Sequence, residues 1–107
     1  MVAFRFTVND SFLSVSTHPI TVPRSQVNYK TLESAQLDRR SYTIIYPKGE
    51  RLPGRIYSGE AGYGPYYQLT VHANPGHVPR YLKQSDKLFV LLARISGKNY
   101  AILEYRE

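Results

Sequence analysis

No stretch of this chain keeps a helical rhythm for long, while short runs with a two-residue period recur from one end to the other. "FRFTV" sets Phe4, Phe6 and Val8 on one side and Arg5 and Thr7 on the other, as in a strand with one wet face. "SYTIIY" is β-branched and aromatic and stops at Pro47-Lys48-Gly49, a turn signal. "GRIY" follows Pro53, and "YYQLTV" places Tyr67, Leu69 and Val71 together, so Tyr67 rather than Tyr66 is expected in the core. "KLFVLLARI" reads as a strand covered on both faces. Ser96-Gly97-Lys98 turns it back into "NYAILEY", a C-terminal hairpin. Helical signals are confined to "VNYKTLESAQL", with Thr31 as a candidate cap, and to a single turn after Pro79 in "HVPRYLKQSD". Many short strands with one or two stray helical turns predict a small barrel.

A chain of 107 residues suits one domain, 1–107, with a single modest core. Its longest apolar run, "LFVLLA", is too short to cross a bilayer, and the N-terminus lacks the pattern of a signal peptide. The absence of cysteine excludes a disulfide scaffold and thiolate metal sites, in keeping with a cytoplasmic protein. Fourteen Lys and Arg stand against eight Asp and Glu, a net charge of +6, and nine of the fourteen are arginine. The arginine fork matches phosphates and guanine edges, so a nucleic-acid partner is expected; a basic surface kept for solubility is the other reading.

Signatures of catalysis are missing. His72 and His77 flank "ANPG", but no cysteine or nearby carboxylate completes a metal site with them, and all three histidines, His18 included, read as exposed loop residues. The glycines of "SGEAGYGPYY" (58–67) lead into a strand instead of a helix, which rules out a phosphate loop. No paired acids followed by Glu-x-Lys occur. No catalytic residue, metal or cofactor is therefore expected, and the chain is not expected to be an enzyme on its own.

The order of segments carries more information. "FRFTVNDSFLSVSTHPITVPRSQV" reads as a strand, a polar arm and a second strand ending in "TVPRS". "YTIIYPKGERLPGRIY" looks like the next hairpin, and "YLKQSDKLFVLL" like an L-x-x-G-D entry into a late strand. From about residue 4 to 105 this order resembles the plant B-three transcription-factor domains and the recognition domains of EcoRII-type restriction endonucleases. Ser85 stands where the family has glycine before the aspartate, and the N-terminal arm is shorter than in some members.

The resemblance implies a seven-stranded open pseudobarrel with one or two short helices, gripping the DNA major groove between two arms. The N-arm would be Asn9 to His18 and the C-arm Ser58 to Tyr66. Asn9, Asp10, Ser11, Ser14, Ser16, Thr17 and His18 are short polar groups suited to bases and phosphates. Asp10 serves equally well as the cap of a turn. Glu60 could accept from a cytosine amino group or pair with Arg55; Tyr63 reads as a contact, with packing as its alternative, and Ser58 and Tyr66 complete the arm. Arg24, Arg39, Arg40, Lys48, Arg51 and Arg55 are candidate phosphate clamps. The stretch 58–67 is expected to be an arm flexible enough to fit a groove. The reading is a monomeric, sequence-specific binder of double-stranded DNA without membrane attachment, the targeting part of a restriction endonuclease whose nuclease lies in another domain or subunit. A small basic β-barrel endoribonuclease toxin, or another RNA-binding barrel, is the alternative.

Overall fold

Tight turns set the register of the sheet. Ser96 (φ 51°) and Gly97 (φ 77°) both take left-handed dihedrals, as the hairpin turn that matches strand twist requires. β6 (Lys87–Ile95) therefore folds straight back as β7 (Lys98–Tyr105), with Ile95 opposite Lys98. The computed structural model describes residues 1–38, 40–72 and 77–106. Among these residues the other elements are β1 (Val2–Thr7), α1 (Asp10–Ser14), β2 (Ile20–Thr21), α2 (Tyr29–Ser34), β3 (Ser41–Ile45), β4 (Arg51–Ala61) and β5 (Gly64–Val71). The seven strands form one sheet in the order β1-β6-β7-β3-β4-β5-β2. Every neighbouring pair is antiparallel except β3 and β7. The sheet curls into a nearly closed, mainly β barrel with two short helices.

Alternation fills its interior. Val2, Phe4 and Val8 point inward from the first strand and its end, as do Leu88, Val90 and Leu92 from β6 and Tyr67, Leu69 and Val71 from β5. Leu32 and Leu37 join the same core from α2 and the turn after it. Each large side chain so enclosed contributes roughly 1.5–3 kcal/mol. Gly54 has no room for anything larger, since a Cβ there would lie 2.5 Å from Ile44 Cδ1 and 2.8 Å from the Thr70 carbonyl oxygen.

Several sequence expectations need correction. The polar arm after β1 contains a helix, α1. The cap of α2 is Asn28, whose side chain accepts from the Lys30 N–H at 2.9 Å, while Thr31 lies inside the helix. The second strand is only Ile20–Thr21. β6 is not covered evenly on both faces: its inner side chains are buried, while Phe89 and Ile95 on the outer face are 48% and 53% exposed. The turn after Pro79 does form, closed by the Leu82 N–H on the Pro79 carbonyl at 3.1 Å. No helix among the described residues is long and apolar enough to cross a membrane.

β1 and β2 are the two ends of the sheet and do not pair with each other. The Gln26 side chain stands in for the missing ladder. Its Oε1 accepts from the Arg5 backbone N–H at 2.8 Å, and its Nε2 donates to the Arg5 carbonyl at 3.3 Å. At the same end of β1, the Val8 N–H donates to Asp86 O (2.8 Å) and the Ser85 N–H to Val8 O (2.9 Å). Ser85 sits at φ 72°, a conformation that costs an L-residue roughly 1–2 kcal/mol and a glycine nothing.

Two outcomes follow for stability, both read by urea denaturation. Ser85→Gly is expected to stabilise the domain by about 1 kcal/mol, and a loss would show that the serine side chain is needed. Gln26→Ala is expected to cost about 1 kcal/mol and to speed exchange of the Arg5 amide; an unchanged exchange rate would remove Gln26 from the closure.

Candidate nucleic-acid interface

The N-arm is a folded cap. Asn9 Oδ1 accepts from the Phe12 N–H at 2.9 Å, which starts α1, and Asp10 occupies the first helical turn instead of the cap. Phe12 is buried and packs edge-on against Phe6 (5.3 Å) and His18 (6.2 Å). His18, expected as an exposed contact, is buried with φ 46°, and its Nδ1 lies 2.8 Å from the Phe12 carbonyl oxygen. That imidazole holds the arm's own backbone together. Ser14 Oγ donates to the Asp10 carbonyl at 2.6 Å. Asp10, Ser11, Ser14, Ser16 and Thr17 stay exposed, and the Thr17 carbonyl accepts from the Val71 N–H (2.8 Å), tying the arm to the far end of β5.

The second arm is not a flexible loop. The β4–β5 ladder continues to Ala61 opposite Gly64, leaving only Gly62 and Tyr63 as the turn. Gly64 has φ 112°, and the Arg24 guanidinium lies over it, 3.2 Å from where a Cβ would stand. The same guanidinium is 5.5 Å from the Tyr29 ring centroid, so Arg24 braces the tip against α2. Tyr66 lies flat on Gly59 across the ladder, where a Cβ would come within 2.6 Å of its Cζ. Tyr63 is 69% exposed at the tip. Tyr67 is in the core as expected, donating to Glu33 Oε2 at 2.6 Å and packing edge-on against Tyr29 at 4.9 Å.

Alternation divides the hairpin between two faces. Arg55, Tyr57, Gly59, Tyr66 and Gln68 share the outer one. Ser58 and Glu60 are on the other, where Glu60 lines a recess with Lys30, Glu33 and Tyr29. Arg55 and Glu60, five positions apart on an extended strand, therefore cannot pair.

Among the described residues, three hollows mark the outer surface. A groove of about 430 Å³ follows the seam, lined by Arg5, Asn9, Ser11, Thr21 and Gln68 among others. Gln68 is fixed there, accepting from Tyr57 Oη and donating to Thr21 Oγ1 at 3.2 Å. Beside it a furrow of about 370 Å³ is lined by Arg40, Ser41, Arg55, Tyr57, Ser58 and His72. Through Arg40 and Ser41 it adjoins a third hollow reaching Arg94 and Lys98. No carboxylate lines either of these last two among the described residues.

The structure thus brings Asn9, Ser11, Arg55 and Ser58 to these hollows and Arg24, Tyr63 and Tyr66 to the hairpin tip. Arg51 is left at the opposite end of β4, ten residues or about 33 Å from Ala61. Lys48 stands at that end too, its Nζ 4.6 Å from the Tyr81 ring centroid. Arg39 lies outside the described residues, as does the segment 73–76 between His72 and His77. Among the described residues no group of three or more His, Cys, Asp or Glu could hold a metal ion. Arg5, Thr21, Tyr57 and Gln68, which also line these hollows or are bonded along them, were not among the residues the sequence singled out. The polar positions of its own alternating strands, Arg5 opposite Phe4 and Phe6 above all, were the available signal.

Compared with protein-family models, curated proteins and solved structures, the chain matches none. Tyr67→Phe, which removes only the hydroxyl on Glu33, is expected to cost about 1 kcal/mol and to raise amide exchange at Gly62, Tyr63, Gly64 and Tyr66. If exchange there matches the unmodified protein, the anchoring of the hairpin on α2 lies elsewhere.

Proposed function

We propose that this domain binds double-stranded DNA in a sequence-specific manner, as the recognition part of a restriction endonuclease whose nuclease resides in another domain or subunit. The observation that carries the reading is the outer face of β2, β5 and β4. There a fixed chain of amide and hydroxyl groups, Thr21–Gln68–Tyr57, runs beside a furrow of arginines with no carboxylate among the described residues lining it. Phosphates are met by the second set and base edges by the first, the division of labour that sequence-specific binding needs. A glutamine amide can both donate to and accept from an adenine edge.

The spacing of the arms supports the same reading. Thr17 is tied to Val71 and the hairpin tip begins at Gly64, so the two arms stand at opposite ends of β5, about 23 Å apart. That separation spans a major groove about 12 Å wide together with its two backbones. The B-three resemblance gains from Ser85, whose left-handed backbone is the conformation that suits the family's glycine. The N-arm contributes Ser11, Ser16 and Thr17, and the hairpin contributes Tyr63 and Tyr66.

Gel shifts with duplex DNA, single-stranded DNA and RNA separate this from the RNA-acting alternative, and duplex is expected to bind best. Affinity should fall with salt, with a log–log slope of about −0.9 for each phosphate neutralised. After selection of a preferred site, Gln68→Ala is expected to lower discrimination by about 1–3 kcal/mol while sparing random duplex. Arg55→Ala should weaken both equally. With magnesium the chain alone is expected to leave nucleic acid intact. Preference for RNA, or a salt slope near zero, would sink the reading.

A further inference from the structure

The half of the barrel formed by β1, β6, β7 and β3 has a different chemistry on its outer face. Cross-strand register aligns Ala3, Leu91, Ile102 and Ile45 in one row on the outside of β1, β6, β7 and β3. Phe89 flanks the row on one side and Tyr100 on the other. Ala3 and Phe89 are exposed and the other four are half-buried, and the Arg106 guanidinium lies 5.8 Å from the Phe89 ring centroid at the edge. "KLFVLLARI" nonetheless has the composition of a strand covered on both faces. Among the described residues that cover is incomplete, leaving Phe89 48% and Ile95 53% exposed.

The border of the patch decides what covers it. Arg5 is in register with Phe89, Arg51 with Ile45, Lys87 with Thr7 and Lys98 with Ile95, while Glu104 is the acidic member. Two copies of this face would bring two basic rims together, each from a chain of net charge +6. An apolar centre inside a charged rim is the anatomy of a protein interface. We propose that this face docks a different protein surface, apolar at its centre and bordered by carboxylates. The inference does not depend on the DNA reading.

A photoreactive benzophenone amino acid placed at Leu91, and in a separate variant at Gln68, tests it in the protein's own cells. The Leu91 probe is expected to give one adduct with a second protein, and mapping of the link should place it in an apolar surface edged by Asp or Glu. The Gln68 probe should not give that adduct. Lys87→Glu combined with Lys98→Glu, in a variant whose thermal melting is unchanged, should abolish it. No adduct, an adduct with another copy of this chain, an adduct shared by both probes, or one that survives the charge reversal would each overturn the proposal. Sedimentation of the purified chain provides the companion measurement. A monomer is expected, and a dimer broken by Leu91→Lys would assign the face to self-association instead.

Discussion

Everything that singles out this barrel turns on a gap in its hydrogen bonding. The sheet begins with β1 and ends with β2, and those two strands meet without a ladder. One side-chain amide, that of Gln26, satisfies a backbone donor and acceptor of Arg5 in place of a neighbouring strand. A full ladder would have sealed the seam and buried the polar groups along it. Because the closure is a single amide, the seam stays shallow and wet, and Arg5, Thr21 and Gln68 line a groove instead of a strand–strand contact. The connection that must cross this gap, from β1 through α1 to β2, becomes the N-arm. Phe12 and His18 give it the internal packing it needs to hold a fixed shape there.

The same topology divides the outer surface by polarity. On β2, β5 and β4 the outward positions carry Thr21, Gln68, Tyr57 and Arg55; on β1, β6, β7 and β3 they carry Ala3, Leu91, Ile102 and Ile45. The inward positions of both halves are mostly apolar, with Asn99 a buried exception whose side-chain amide donates to the Gln36 carbonyl. The two halves of the barrel therefore differ far more on the outside than in the core.

Strand periodicity made the fold legible, because burial repeats every second residue and the turn residues are few. Phe4 and Val8, Tyr67 and Leu69, and the Ser96-Gly97 turn all fall where alternation and turn chemistry put them. Short helices were harder to read. α1 has five residues and one buried side chain, so it exists through Asn9 and Phe12 and not through any period visible in "DSFLS". The placement of the candidate site residues was harder to read for a related reason. Polarity does not reveal which polar groups are already engaged, and His18 and Asn9 are engaged with their own backbone. Arg55 was readable as basic, but its closeness to Arg40 and His72 depends on the register of β3 with β4, which composition does not encode.

The long fourth strand has a consequence for how anything is held. Arg51–Ala61 is one unbroken β4, paired first with β3 and then, to its tip, with β5 alone. With Tyr66 laid over Gly59 and Arg24 over Gly64, the projecting end has little freedom left to lose. A flexible arm gives up conformational entropy at the moment of capture, about 1–2 kcal/mol for each residue ordered. This one gave it up when the chain folded. Under the proposed function, its contacts with DNA would then count nearly in full toward affinity. The corresponding penalty falls on adaptability, since a rigid prong accepts only ligands whose shape already fits, and poor fits are rejected by rapid departure more than by slow arrival.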